Sequence, residues 1–186
     1  MPYNPTIHHR RSIRLKDYDY SQSGIYFVTI CCQSHICRFG KIENGKMILN
    51  DAGQIAFNEW MKTPDIRSNV QLDAFVVMPN HIHGIIIITD VGRGVSHTPN
   101  DETCQYHNQG ICDTPLRSPS NTVGAIVRGY KSAVTKQIGY SVWQRNYHEH
   151  IIRNEKSYQY IANYIINNPS NWDKDKFYKV YYQEEN

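Results

Sequence analysis

The stretch VQLDAFVVMPNHIHGIIIITD, residues 70–90, decides how the rest of the chain is read. Two apolar runs rich in β-branched residues flank the turn-forming pair Pro79-Asn80, so they read as two strands joined by a tight turn. In the second run His81 and His83 bracket Ile82, ahead of four consecutive isoleucines at 85–88. Side chains alternate along a strand, which points both imidazoles to one face, about 7 Å apart. Such a pair can converge on a metal ion or a phosphate. It can also form the polar rim of a sheet, and spacing alone favours the rim. Gly84 leaves the adjacent backbone open to close approach by a ligand or another element.

Working outward, GIYFVTICCQ (residues 24–33) is apolar on both faces and reads as a central strand. Asn44-Gly45 sits between two short alternating runs, the signal for a type I′ hairpin. Residues 50–63 predict a helix offering Ile55, Phe57, Trp60 and Met61 to one side. Residues 121–138 predict another, because Val123, Ile126, Val127, Tyr130, Val134 and Ile138 recur at three- and four-residue spacing. VWQRNYHEHII reads as a further strand, and Asn154 as the cap of a last helix that ends at Pro169. Strand, hairpin, helix, two strands, helix, strand, helix is an α+β order: one antiparallel-rich sheet with helices packed on it.

A chain of 186 residues suits one domain, here residues 1–186, with a basic arm over about 1–23 and a flexible insertion over about 91–121. Hydrophobic content of 40% is ordinary for a globular protein, whereas 14 tyrosines are many. A net charge of +3 permits a polyanionic partner without demanding one. The five cysteines contain no CxxC pair, and a zinc knuckle from Cys104 and Cys112 is a weak reading. No leader pattern opens the chain and no apolar run approaches membrane length, so a cytoplasmic, nucleoid-associated location with no membrane partner is expected.

On the last helix Tyr160, Tyr164 and Asn168 share a stripe beside the apolar one of Tyr158, Ile161, Ala162 and Ile165. Tyr164 stands at the edge of the buried face, where its hydroxyl can reach a site. Ordinary packing explains the stripe equally well. The histidine-triad hydrolases require a third histidine at 85, which is Ile, and the two-histidine phosphodiesterases a hydroxyl residue at His83, so neither fits.

The segments RRSIRLKDYDYSQSGIYFVTIC, FVVMPNHIHGIIII and VWQRNYHEHIIRNEKSYQYIANYIINNPSNW together resemble the REP-associated tyrosine transposases. These are a branch of the single-tyrosine HUH nucleases, in which U is a bulky apolar residue. The likeness runs from about residue 10 to 172, broken by the insertion. It implies a ferredoxin-like HUH fold and a metal-dependent endonuclease and strand transferase, a transposase acting on single-stranded, hairpin-forming repeat DNA. It places the metal-binding histidines on His81 and His83, the nucleophile on Tyr164 and a third, amide ligand on Asn168. The metal would be Mg2+ or Mn2+, suited to phosphoryl transfer, and the intermediate a 5′-phosphotyrosine.

Given that likeness, Arg10, Arg11 and Arg14 of the arm, Arg128 and Lys131 of the helix, and Arg145 become candidate phosphate contacts, and Trp143 a candidate base-stacking residue. His148-Glu149-His150 lacks the apolar middle residue and reads as a decoy for the metal site. Two rivals remain: a replication or mobilisation nuclease of the HUH type, and a domesticated DNA-binding regulator that no longer cuts. A monomer or a homodimer suits either reading.

Overall fold

The structure is a computed structural model that describes residues 22–89 and 122–178. Arg10, Arg11, Arg14, Cys104, Cys112, the 91–121 insertion and nearly all of the arm lie outside the described residues.

The hairpin that decided the reading forms as expected. Strands β4 (Val70–Met78) and β5 (His81–Ile88) pair antiparallel across Pro79-Asn80. Strand β1 (Gly24–Cys31) lies on the other side of β5, and β6 (His148–Ile152) beyond it, giving an antiparallel sheet of order β4-β5-β1-β6. The small hairpin of β2 (Gly40–Glu43) and β3 (Lys46–Leu49) turns at Asn44-Gly45, where both φ are positive (51° and 73°), as a type I′ turn requires.

Helices cover both faces of the four-stranded sheet, which is why β5 carries an unbroken apolar run. Ile82, Ile86 and Ile88 join Tyr26, Val28 and Ile30 under α1 (Asp51–Met61) and α3 (Val123–Ile138). Ile85 and Ile87 face the other way, under Ile161, Ala162 and Ile165 of α4 (Glu155–Asn167). A short α2 (Thr63–Ile66) leads into β4. The helix starts follow local capping chemistry: Asn50, Thr122 and Asn154 accept bonds from the amides of Gly53, Ala125 and Ser157.

Two expectations are corrected. In α1 the buried stripe is Ala56 and Trp60, whereas Phe57 and Met61 lie on the exposed side. The strand expected over VWQRNYHEHII is reduced to His148–Ile152. Ahead of it Val142 and Trp143 are buried in the core, Trp143 makes only an isolated bridge to Cys32, and the Lys131 ammonium donates to the carbonyls of Gln144 (2.8 Å) and Asn146 (2.9 Å).

Gly84 serves an element of the fold. A Cβ there would stand 2.4 Å from Cζ2 of Trp60, so the indole of α1 packs directly on the β5 backbone.

Candidate active site

Alternation along β5 places His81 and His83 on the α4 face, on a strand that has neighbours on both sides. The rim expectation fails: His81 is 0% exposed and His83 1%. The rings lean towards each other, so their Nε2 atoms are 3.0 Å apart despite the longer spacing of their backbones.

The amide of Asn80 sets the protonation of the first ring. Its Nδ2 donates to the carbonyls of His35 (3.0 Å) and Phe177 (2.9 Å), which leaves Oδ1 facing His81 Nδ1 at 2.8 Å. His81 therefore carries its proton on Nδ1 and presents a lone pair at Nε2. Thr29, opposite on β1, holds His83 Nδ1 at 2.8 Å. Burial lowers the His81 pKa to about 3, helped by the positive charges of His35 and Lys176. It also pushes His83 well below its ordinary value, with His81 as the next cause. The pair is thus neutral at physiological pH, with Nε2 atoms converging.

Tyr164 stands over the pair. Its hydroxyl lies 3.2 Å from His83 Nε2 and 3.4 Å from Oδ2 of Asp175, in the segment after α4. Burial raises the phenol to about 12, with the Asp175 charge the next cause, so the hydroxyl is protonated at neutral pH. Tyr160, one turn earlier, is 75% exposed and points away, whereas Tyr164 at 37% lines an open cavity of about 300 Å³ with Asn168 and Asp175. Asn168 is 3% exposed. Its Nδ2 donates to Asp175 Oδ2 at 3.0 Å, and its Oδ1 is buried with no hydrogen-bond partner among the described residues. Phe177 covers the histidines from the other side, its ring centroid 4.7 Å from that of His81.

His81, His83 and Asp175 bring one ligand atom each within 4.8 Å of one another, a set chemically suited to a divalent ion. Two nitrogens bound at about 2.1 Å and at a right angle stand about 3 Å apart, which matches the Nε2 separation. The orphaned Asn168 Oδ1 offers a further oxygen donor. Neutral imidazoles, a carboxylate and an amide oxygen fit a divalent cation.

Asp175 and Asn80 were missed in the sequence. Asp175 sits in a charged stretch with no local pattern, and Asn80 looked like a turn residue only. Of the expected DNA-contact residues, Lys131, Trp143 and Arg145 line one open surface cavity of about 550 Å³. Arg128 and Arg145 are exposed. Lys131 turns its donors to backbone carbonyls, and burial lowers its pKa to about 8. Trp143 meets that cavity at one edge. It is 7% exposed and packs against Phe39 and Tyr130 at 5.2 and 5.5 Å, so its ring is core.

No protein-family model matches the chain. Among solved structures, a REP-associated tyrosine transposase bound to a REP hairpin is similar, with a TM-score of 0.55 and 20% identity. The likeness covers 89% of this chain and 77% of that one, and it shows a shared fold. An uncharacterized protein of Haemophilus influenzae is 46% identical over 181 residues, which is 95% of this chain and 97% of the relative. With that identity along nearly the whole of both chains, the protein belongs to the same family as the Haemophilus protein, and it shares its α+β fold with the REP-associated tyrosine transposase.

Proposed function

We propose that the protein is a metal-dependent single-stranded DNA endonuclease and strand transferase that works through a 5′-phosphotyrosine. One observation carries the reading: the Tyr164 hydroxyl, His83 Nε2 and Asp175 Oδ2 meet within 3.2 and 3.4 Å, beside the lone pair of His81. A lone phenol on a helix needs none of these neighbours, whereas phosphoryl transfer needs a nucleophile beside a cation-binding set. The fold shared with a transposase solved on hairpin DNA supports a hairpin-forming single strand as substrate.

His81 and His83 would hold a divalent ion, with Asp175 or Asn168 as third donor. Mg2+ or Mn2+ there would polarise a phosphoryl oxygen and offset the charge that develops on it. The protein's own residues do the rest. Asn80 and Thr29 orient the imidazoles. Packing of Phe27 edge-on to Tyr164, with centroids 6.3 Å apart, steadies the phenol. Asp175 Oδ2 is placed to take its proton as the Tyr164 Oη–P bond forms and the P–O3′ bond breaks. The departing 3′ oxygen gains a proton from solvent, and its attack on the phosphotyrosine in reverse reseals a strand.

The test incubates the protein with labelled hairpin DNA and Mn2+, then looks for an SDS-stable protein–DNA adduct. An adduct lost in Tyr164→Phe and His81→Ala but kept in Tyr160→Phe supports the reading. An adduct that survives Tyr164→Phe sinks it.

A further inference from the structure

The second H-x-H motif, set aside in the sequence, lies on the same face of the sheet as the first. Register pairs His148 with Thr29 and His150 with Phe27, and Thr29 in turn faces His83 across β1. Alternation then turns His148 and His150 towards the face that carries Tyr164, and Glu149 towards the other. Glu149 accepts the Tyr147 hydroxyl at 2.8 Å. Both imidazoles are exposed on the edge strand, and no hydrogen bond among the described residues engages them.

Between His150 and the candidate nucleophile the ground is aromatic. Phe27 is half-buried, and its ring centroid lies 5.3 Å from that of His83 and 6.3 Å from that of Tyr164. Among the described residues two routes away from Tyr164 are closed, and the cavity of about 300 Å³ beside Asn168 leaves a third open. On one side α4 packs over β4, where Tyr158 donates to Asp73. At the end of β5, Trp172 and Phe177 close over His81, with centroids at 5.9 and 4.7 Å. The route across Phe27 to β6 carries no acidic side chain on this face, and exposed Arg153 follows the strand.

We propose that His148 and His150 are positioning residues that donate imidazole N–H groups to backbone phosphates of the bound single strand. Phe27 forms the apolar floor between them and Tyr164. This rests on the reading of Tyr164 as a DNA-attacking residue, and it adds the path of the strand. Two strand spacings separate His148 from His83, about 10 Å. A stacked strand rises about 3.4 Å per nucleotide, so the contact falls about three nucleotides from the scissile phosphate.

The test is fluorescence anisotropy with fluorescein-labelled dT12, using the full chain and variants whose melting temperatures match it. His148→Ala/His150→Ala should bind about tenfold more weakly. His148→Arg/His150→Arg should restore or exceed the original affinity, which a merely structural role would not produce. Failure of the wild-type protein to bind dT12 would overturn the proposal. So would unchanged affinity in the alanine variant, or an arginine variant as weak as it. The adduct assay is separate: an adduct that survives Tyr164→Phe removes the cleavage reading and leaves the dT12 result standing.

Discussion

His81-Ile82-His83 and His148-Glu149-His150 share a spacing and a sheet face, yet they have opposite surroundings. The first lies on β5, flanked by β1 and β4 and roofed by α4 and Phe177. Burial strips its charge, and Asn80 and Thr29 aim its rings at one point. The second lies on β6 at the edge, solvated and without such partners. The difference shows that an H-x-H pattern becomes a ligand pair through what stands beside its strand. Spacing brings two imidazoles to one face, and only the neighbours orient them.

That contrast can be broken most directly at the ligands. His83→Ala should abolish both Mn2+ binding, read by isothermal titration, and the Tyr164 adduct, and chelation should do the same to the intact protein. An adduct formed at full rate in EDTA would remove the metal from the argument.

Acid should act on the buried pair next. In the unfolded chain a histidine protonates near pH 6.5, whereas folded His81 resists to about pH 3. Between those values the unfolded state binds more protons, so stability falls as pH falls, by about 1.4 kcal/mol per pH unit for each such histidine. Urea melts of chelator-treated protein at pH 7 and pH 5 should show the loss, and a midpoint that does not move contradicts it.

Asn80→Ala removes the acceptor that orients His81 while leaving both imidazoles in place. Adduct formation should slow about 10- to 100-fold, and unfolding free energy should drop by about 1–3 kcal/mol. A rate equal to wild type would show that His81 needs no such partner. On the opposite face, Gly84→Ala forces a methyl into the Trp60 indole and should cost about 1–3 kcal/mol. A neutral result in denaturant melts would mean that the indole can shift.

The smallest effect belongs to the edge motif. His148→Ala/His150→Ala should change stability by no more than about 0.5 kcal/mol, because both side chains are exposed. A large loss would mean that these histidines are structural, and the contrast between the two motifs would collapse.

The element order was readable from local signals: the Asn44-Gly45 turn, the cap at Asn154, and the apolar stripe from Val123 to Val134. Each acts over a few residues, so each is visible without partners. The stripe of α1 was misjudged at Phe57 and Met61, because amphipathicity leaves open which apolar residue meets the sheet until Trp60 meets Gly84. The strand before His148 was overlong, because the Gln144 and Asn146 carbonyls bond Lys131, more than a dozen residues away, which no local pattern reveals.

By itself, the sequence determined the elements, the shared face of His81 and His83, and the position of Tyr164 at the edge of a buried helix face. Only tertiary structure decided that the imidazoles are buried and converge, that Asp175 joins them, that Asn80 sets a tautomer, and that Trp143 is core. The reason is range. Propensity, capping and alternation are set by bonded neighbours, whereas burial, proton position and ligand geometry depend on groups such as Thr29 and Asp175, distant in the chain and adjacent only once it folds.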